Sequence, residues 1–281
     1  MRVYHSLYGQ LLSKEKLYKG FRRVWKAKGA AGIDRQSLSD FASNLSDNLD
    51  QLLHELSTKQ YQAQPVRRVE IPKEDGGVRL LGIPTIRDRV VQQPLNDLLS
   101  PIFEEQFHPS SYGYRPRRSC HDAINKATLF MRRYELKHVV DMDLSKCFDK
   151  LDHGLILSSI EKRVSDGSVL KLLVQFLKSG VMVDGHKQAT EVGSPQGGVI
   201  SPLIANIYLD AFDQEMKKRG HRIVRYADDI LILCRSRAGA ENALKQAKKI
   251  LEVELKLEVN SRKTHIADSN EGVKFFRSGD R

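Results

Sequence analysis

Ile223-Val224-Arg225-Tyr226-Ala227-Asp228-Asp229-Ile230-Leu231-Ile232-Leu233 is the stretch from which the rest of the chain is read. Two apolar runs flank a short polar turn, the pattern of a hairpin whose strands lie in a core. A single Asp in a turn is ordinary, because its side chain bonds nearby backbone. Two adjacent carboxylates at the tip of a buried hairpin are costly unless something positive sits beside them. A second acidic strand end lies upstream, in His138-Val139-Val140-Asp141-Met142-Asp143. If that strand lies beside the hairpin, Asp143 and Asp228 meet at one sheet edge. Two or three convergent carboxylates bind Mg²⁺, and a pair of such ions about 3.5–4 Å apart drives phosphoryl transfer. Alternation puts Asp141 on the same face as Asp143, and Asp149 and Asp152 follow closely, so spacing leaves the choice among them open.

Working outward, a helix at 238–254, a strand at 256–260 and a last strand near 264–268 are expected after the hairpin. Before it, Ser201–Lys218 reads as a helix, with Ser201 as cap and Pro202 at its first position. It is entered from the Gly-rich segment 193–198, and two further helices are expected at 153–163 and 168–179. Near the start, Leu17, Phe21, Val24 and Trp25 recur at helical spacing until Gly29. Leu38, Phe41, Leu45, Leu49, Leu52 and Leu56 predict one helix after Ser37. Val66–Ile71 and Val78–Ile83 flank the turn signal Asp75-Gly76-Gly77. A helix from Asp88 to Leu99 contains Pro94, which should cost about 3 kcal/mol or force a kink. Helices and hairpins without regular βαβ alternation predict an α+β architecture.

Composition narrows the functional classes. In 281 residues, 40% hydrophobic content fills a real core, and no apolar run approaches the roughly 20 residues of a membrane span. The 46 basic against 35 acidic side chains leave a net charge of +11. Residues 1–140 hold 23 basic and 15 acidic groups (+8), whereas 141–281 hold 23 and 20 (+3). A basic front half suggests a polyanion-binding surface beside a different kind of site. Cys120, Cys147 and Cys234 form no CxxC pair, which excludes a disulfide framework or zinc knuckle. With no apolar leader at the N-terminus, the expected setting is a reducing, intracellular one. No HExxH pattern, nucleophile elbow or Walker loop offers a rival catalytic centre.

Several blocks in fixed order now carry a resemblance. Ala31-Gly32-Ile33-Asp34, Ile71-Pro72-Lys73 through Arg79-Leu80-Leu81-Gly82-Ile83-Pro84, and Ser111-Tyr112-Gly113-Tyr114-Arg115-Pro116 come first. Asp143–Asp152, Gly193-Ser194-Pro195-Gln196-Gly197-Gly198 with Ser201-Pro202-Leu203, and Tyr226-Ala227-Asp228-Asp229 follow. Together they resemble the group II intron-encoded reverse transcriptase/maturase family over residues 10–275. The resemblance implies fingers and palm of a right-hand polymerase, the palm a ferredoxin-like antiparallel sheet backed by helices. It implies RNA-directed DNA synthesis from dNTPs on an RNA template, the intron RNA, with a DNA or RNA primer. Asp143, Asp228 and Asp229 correspond to the metal-holding acids, for two Mg²⁺ with Mn²⁺ as a substitute. Lys73 and Arg79 correspond to the residues gripping the triphosphate, Phe148 to the ring that excludes a ribose 2′-hydroxyl, and Gln196 to the residue near sugar and template. Lys263 corresponds to the lysine that protonates leaving pyrophosphate.

Arg67, Arg68, Arg87, Arg89, Arg115, Arg117 and Arg118, interleaved with Tyr112 and Tyr114, read as phosphate and stacking contacts to template. The expected organisation is an N-terminal extension (1–55), fingers (56–125), and palm (126–276) with a helical insertion near 153–190. Residues 277–281 depart from the family. After Gly272-Val273-Lys274-Phe275 the family pattern leads into a thumb, whereas Phe276 is followed here by Arg277-Ser278-Gly279-Asp280-Arg281. The expectation is a chain of fingers and palm without a thumb, with weak synthesis, in the bacterial cytoplasm within a ribonucleoprotein or nucleoid. Alternatives are an intron-RNA-binding remnant, or a reverse transcriptase of a CRISPR or diversity-generating system.

Overall fold

The computed structural model describes residues 2–72, 76–183 and 186–268; Lys73, Asp75 and the tail from 269 onward lie outside them. A 3₁₀ turn (Tyr8–Leu11) precedes α1 (Lys14–Ala27), α2 (Leu38–Ser43), α3 (Leu45–Ser57), β1 (Val66–Pro72), β2 (Val78–Ile83), α4 (Ile86–Glu104) and α5 (Cys120–Tyr134). Then come β3 (His138–Met142), a 3₁₀ turn (Cys147–Lys150), α6 (His153–Glu161), α7 (Gly167–Lys178), β4 (Val181–Val183) and β5 (His186–Gln188). The chain continues through α8 (Ser201–Lys218), β6 (Arg222–Tyr226), β7 (Asp229–Cys234), α9 (Arg237–Lys248), a wide π-type turn (Lys249–Glu254) and β8 (His265–Asp268). Side-chain caps start the helices where the sequence supplies them. Ser37 with Asp40 and Ser119 with Asp122 close reciprocal capping boxes, and Thr85 caps α4.

Contacts divide the chain into two compact units, Met1–Glu105 with Ile156–Ile204 and Gln106–Leu155 with Ala205–Arg281. In the first, a four-stranded sheet has the order β2-β1-β4-β5. β1 and β2 form the expected hairpin, with Arg67 opposite Ile83 and Ile71 opposite Arg79. β4 lies parallel to β1, Val66 opposite Val181. These short strands gave no sequence signal, because three residues carry no readable period. The single helix expected over residues 38–56 is broken at Asn44 (φ −120°, ψ 38°) into α2 and α3.

α4 extends beyond the predicted 88–99 and carries both Pro94 and Pro101 inside it. Pro94 leaves the Val90 carbonyl without its helical donor. Gly20 of α1 sits against that spot; a Cβ there would lie 2.9 Å from Val90 O and 3.3 Å from Pro94 Cδ. Close packing of α1 therefore covers the gap in the ladder, with Leu17, Phe21 and Val24 buried on the same helix.

The second unit holds an antiparallel sheet of order β6-β7-β3-β8. With α8 before β6 and α9 between β7 and β8, this is the expected ferredoxin-like arrangement. α5 buries Ala123, Ala127 and Phe130 with Val139, Val224, Leu231 and Leu233 of the sheet. α9 presents Ala240, Ala243 and Ala247, all buried.

The strand expected at 256–260 reduces to one bridge, Leu144 to Val259, because Lys256 takes a left-handed φ of 53°. Residues 106–125, read from sequence as part of the fingers, belong to this unit. Arg225 N donates to Ser110 O (2.9 Å) and Tyr112 N to Arg225 O (2.8 Å), so the segment zips onto β6. Among the described residues, no helix is long and apolar enough to cross a membrane.

Candidate active site

Tyr226 pairs with Asp229 across the β6–β7 hairpin, which leaves Ala227 and Asp228 as a two-residue turn. Ala227 has a φ of 57°, a left-handed conformation that costs an L-residue roughly 1–2 kcal/mol. The turn is tied down from behind. Arg225 Nη1 donates to Ala227 O and to Asn206 Oδ1, both at 2.9 Å. Its Nε lies 2.9 Å from both oxygens of Asp213, and Nη2 donates to Asp213 Oδ2 at 2.7 Å. Both side chains of this ion pair are 0% exposed.

Asn206 Nδ2 in turn donates to Gly113 O at 2.9 Å. Gly113 itself presses on the turn: a Cβ there would lie 2.2 Å from Ala227 N, so only glycine fits.

The β3–β7 register ends at Met142 opposite Ile230, and the next step along it sets Asp143 opposite Asp229. The segment 260–264 holds Asp143 from its other side. Asn260 N donates to Asp143 O (2.8 Å) and Asn260 Nδ2 to Asp143 Oδ2 (3.0 Å). Asp143 N donates to Thr264 Oγ1 (3.4 Å), and Lys263 Nζ lies 4.0 Å from Asp143 Oδ2.

Electrostatics groups these residues. The Asp229 carboxyl is pushed up to about 7 by burial first, then by the charges of Asp228, Asp143 and Asp141, with Lys263 acting in the opposite sense. The ambiguity between Asp141 and Asp143 thus resolves in part: both bear on Asp229, while Asp143 is the one gripped by the 260–264 segment.

The donors are hard carboxylate oxygens with an excess of negative charge, which suits Mg²⁺ or Mn²⁺. Among the described residues, no three His, Cys, Asp or Glu side chains form a ready-made metal cage.

Phe148 stands on the 3₁₀ turn that follows, its ring edge-on to Tyr114 at 6.2 Å and 73°. Cys147 beside it is buried, its thiol pushed up by burial and by the charge of Asp228.

Two expected template contacts in this unit serve the interior instead. Arg115 is 7% exposed, donates through Nη1 to His108 O (2.9 Å) and Ser111 O (2.8 Å), and covers the Phe107 ring. Tyr112 is 8% exposed in the core under α5, with Arg118 over its ring. Buried groups spent on internal partners have little left to offer a phosphate or base.

The remaining candidates lie in the first unit. Arg67 donates through Nε and Nη2 to Ala31 O (3.0 and 2.8 Å), and Arg89, 8% exposed, donates to Ala30 O at 2.6 Å. Both brace the Ala30-Ala31 backbone. Arg87 pairs with Glu55 and lies over the Tyr61 ring. Arg68 and Arg79 are partly exposed on the hairpin, and Gln196 accepts Gly82 N through its backbone oxygen at 2.8 Å.

Sequence reading missed Arg225, Asp213, Asn206, Gly113 and Asn260. Arg225 left a trace as a lone charge inside an apolar strand, and Gly113 as part of the Ser111–Pro116 block, without either being marked as a site residue.

The model of the reverse transcriptase (RNA-dependent DNA polymerase) family matches residues 71–276. Protein YkfC of Escherichia coli (strain K12) is 35% identical over 93% of this chain and 79% of its own length. Group II intron-encoded protein LtrA of Lactococcus lactis subsp. cremoris is 28% identical over 98% of this chain, which spans 56% of that protein. Among solved structures, apo telomerase from Candida tropicalis truncated from its C-terminal domain superposes with a TM-score of 0.55 at 14% identity, over 76% of this chain and 53% of the other. A partial Cas6-RT-Cas1–Cas2 complex gives 0.51 at 23% identity, over 89% of this chain and 43% of that one. These two share the fold. By its family match and its relatives, the chain belongs to the reverse transcriptase (RNA-dependent DNA polymerase) family.

Proposed function

We propose that the chain is an RNA-directed DNA polymerase of the group II intron type, joining dNTPs to a primer 3′-hydroxyl on an RNA template. The observation that carries the reading is the meeting of acids at the turn, where burial first, and then the charges of Asp228, Asp143 and Asp141, raise Asp229 to about 7. Asp143, Asp228 and Asp229 would hold two Mg²⁺, with Mn²⁺ as a substitute. Such ions, when bound, activate the attacking hydroxyl and take up charge on the leaving pyrophosphate.

The chain's own groups do the positioning. Lys263, beside Asp143, is the proton donor to pyrophosphate. Phe148, backed by Tyr114, forms the wall against a ribose 2′-hydroxyl. Lys73 and Arg79 hold the triphosphate, Gln196 faces sugar and template, and Arg68 and Arg87 contribute to the template surface. The template is an intron RNA, the primer DNA or RNA, and the setting a cytoplasmic ribonucleoprotein.

The test is primer extension on an RNA template with dNTPs and Mg²⁺. Synthesis is expected from the wild-type chain and none from Asp228→Ala. Extension that survives this substitution refutes the site. Absence of product from the wild type, with RNA still bound, favours an RNA-binding role alone.

A further inference from the structure

We infer that Asn260 is a positioning residue for Asp143, locking one carboxylate oxygen so that the other is presented to a divalent cation. The inference rests on the reading of Asp143 as a metal ligand and goes beyond it to a residue that touches neither metal nor substrate.

Every polar atom of Asn260 is engaged, and each bond runs toward Asp143 or shapes the loop that reaches it. Its N–H donates to Asp143 O at 2.8 Å and its Nδ2 to Asp143 Oδ2 at 3.0 Å. Its Oδ1 accepts Arg262 N at 3.1 Å, and its carbonyl accepts Lys263 N (3.2 Å) and Thr264 N (2.9 Å). The amide orientation follows from these partners. A flipped side chain would set oxygen against a carboxylate and nitrogen against an N–H.

Asp143 is thus pinned at its N–H by Thr264, at its carbonyl and Oδ2 by Asn260, with Lys263 Nζ 4.0 Å from the same Oδ2. A carboxylate with one oxygen committed cannot swing freely and offers Oδ1 as its open acceptor. Among the described residues, Asn260 is the hydrogen-bond donor to the Asp143 carboxylate. The strand that carries it ends at Met142, so sheet hydrogen bonds do not fix the carboxylate.

Outer-shell partners of this kind typically account for about 10–100-fold in metal affinity.

The test uses the full chain with Mn²⁺ alone as probe, free Mn²⁺ being read by electron paramagnetic resonance without nucleic acid or nucleotide. Asn260→Ala removes both side-chain bonds. Asn260→Ser keeps a hydroxyl that can cap Arg262 N, as Ser does in the equivalent turn, while losing the donor to Asp143. Both should raise the Mn²⁺ dissociation constant by about 10–100-fold. Primer extension by both variants should recover at saturating metal, with the KM for dNTP unchanged.

Unchanged Mn²⁺ affinity in both variants overturns the inference. So does wild-type affinity in Asn260→Ser with loss only in Asn260→Ala, since the turn alone would then be the role of Asn260. If Asp143→Ala binds Mn²⁺ as tightly as wild type, the metal-ligand reading itself falls. If Asp143→Ala loses affinity and the Asn260 variants do not, only the present inference falls.

Discussion

Arg225→Met tests the frame of the site most directly. Arg225 and Asp213 are each 0% exposed and joined by three close contacts from Nε and Nη2. Removing the guanidinium leaves a buried carboxylate without its cation, a change worth about 3–5 kcal/mol. Ala227 O and Asn206 Oδ1 lose a donor at the same time, and each such loss costs about 1–3 kcal/mol taken alone, though neighbouring effects do not add. Against a typical total stability of about 5–15 kcal/mol, the substitution should remove a large share.

Urea unfolding followed by circular dichroism measures this as a lower midpoint. Arg225→Met combined with Asp213→Leu should recover much of the loss, because no unpaired charge then remains. Arg225→Lys should lose less stability than Arg225→Met yet impair primer extension, since a point charge cannot span Asp213, Asn206 and Ala227 together. A loss below about 1 kcal/mol in Arg225→Met, or a double variant no better than the single, would refute the argument that a buried pair holds the turn.

Other perturbations follow from the same geometry. Gly113→Ala forces a methyl into the Ala227 backbone; it should cost about 1–3 kcal/mol and depress primer extension more than thermal stability, and wild-type activity would contradict the close approach. Gly20→Ala meets Val90 O at 2.9 Å and should lower the melting temperature while leaving Mn²⁺ affinity untouched; an unchanged melting temperature would count against the packing argument.

Asp210 is raised to about 6 by burial and then by Asp213. An acid raised above its unfolded value favours the folded state most below the unfolded pKa, and that advantage is lost as pH rises through about 6. Asp210→Asn should flatten the stability change between pH 4 and 7 and add up to about 3 kcal/mol at neutral pH. An identical pH profile in variant and wild type would show that the carboxyl does not titrate there. Phe148→Ala should raise incorporation of ribonucleotides relative to dNTPs, measured by competing the two in primer extension; unaltered selectivity would remove Phe148 from the sugar wall.

How much of this was legible beforehand differs between levels. The β1–β2 and β6–β7 hairpins announced themselves through apolar runs and turn residues, and the caps at Ser37 and Thr85 start helices near where spacing put them. Long-range partnership was another matter. Arg67, Arg89 and Arg115 look in sequence like phosphate contacts, and only the fold reveals that backbone carbonyls at Ala31, Ala30, His108 and Ser111 take up their donors. Pro94 looks like a break, yet a glycine 74 positions earlier in the chain packs over the freed carbonyl.

Local chemistry in the chain therefore determined most helices, the two apolar hairpins and the α+β class, because turn and period are short-range properties, while Asp143 was singled out among its acidic neighbours only by the family resemblance. Tertiary structure alone decided which charges are spent inside and which groups hold the acids in place. Arg225 lies 12 residues from Asp213 and Asn260 lies 117 from Asp143. A hydrogen bond depends on distance and angle in space, and chain separation of that order carries no trace of either.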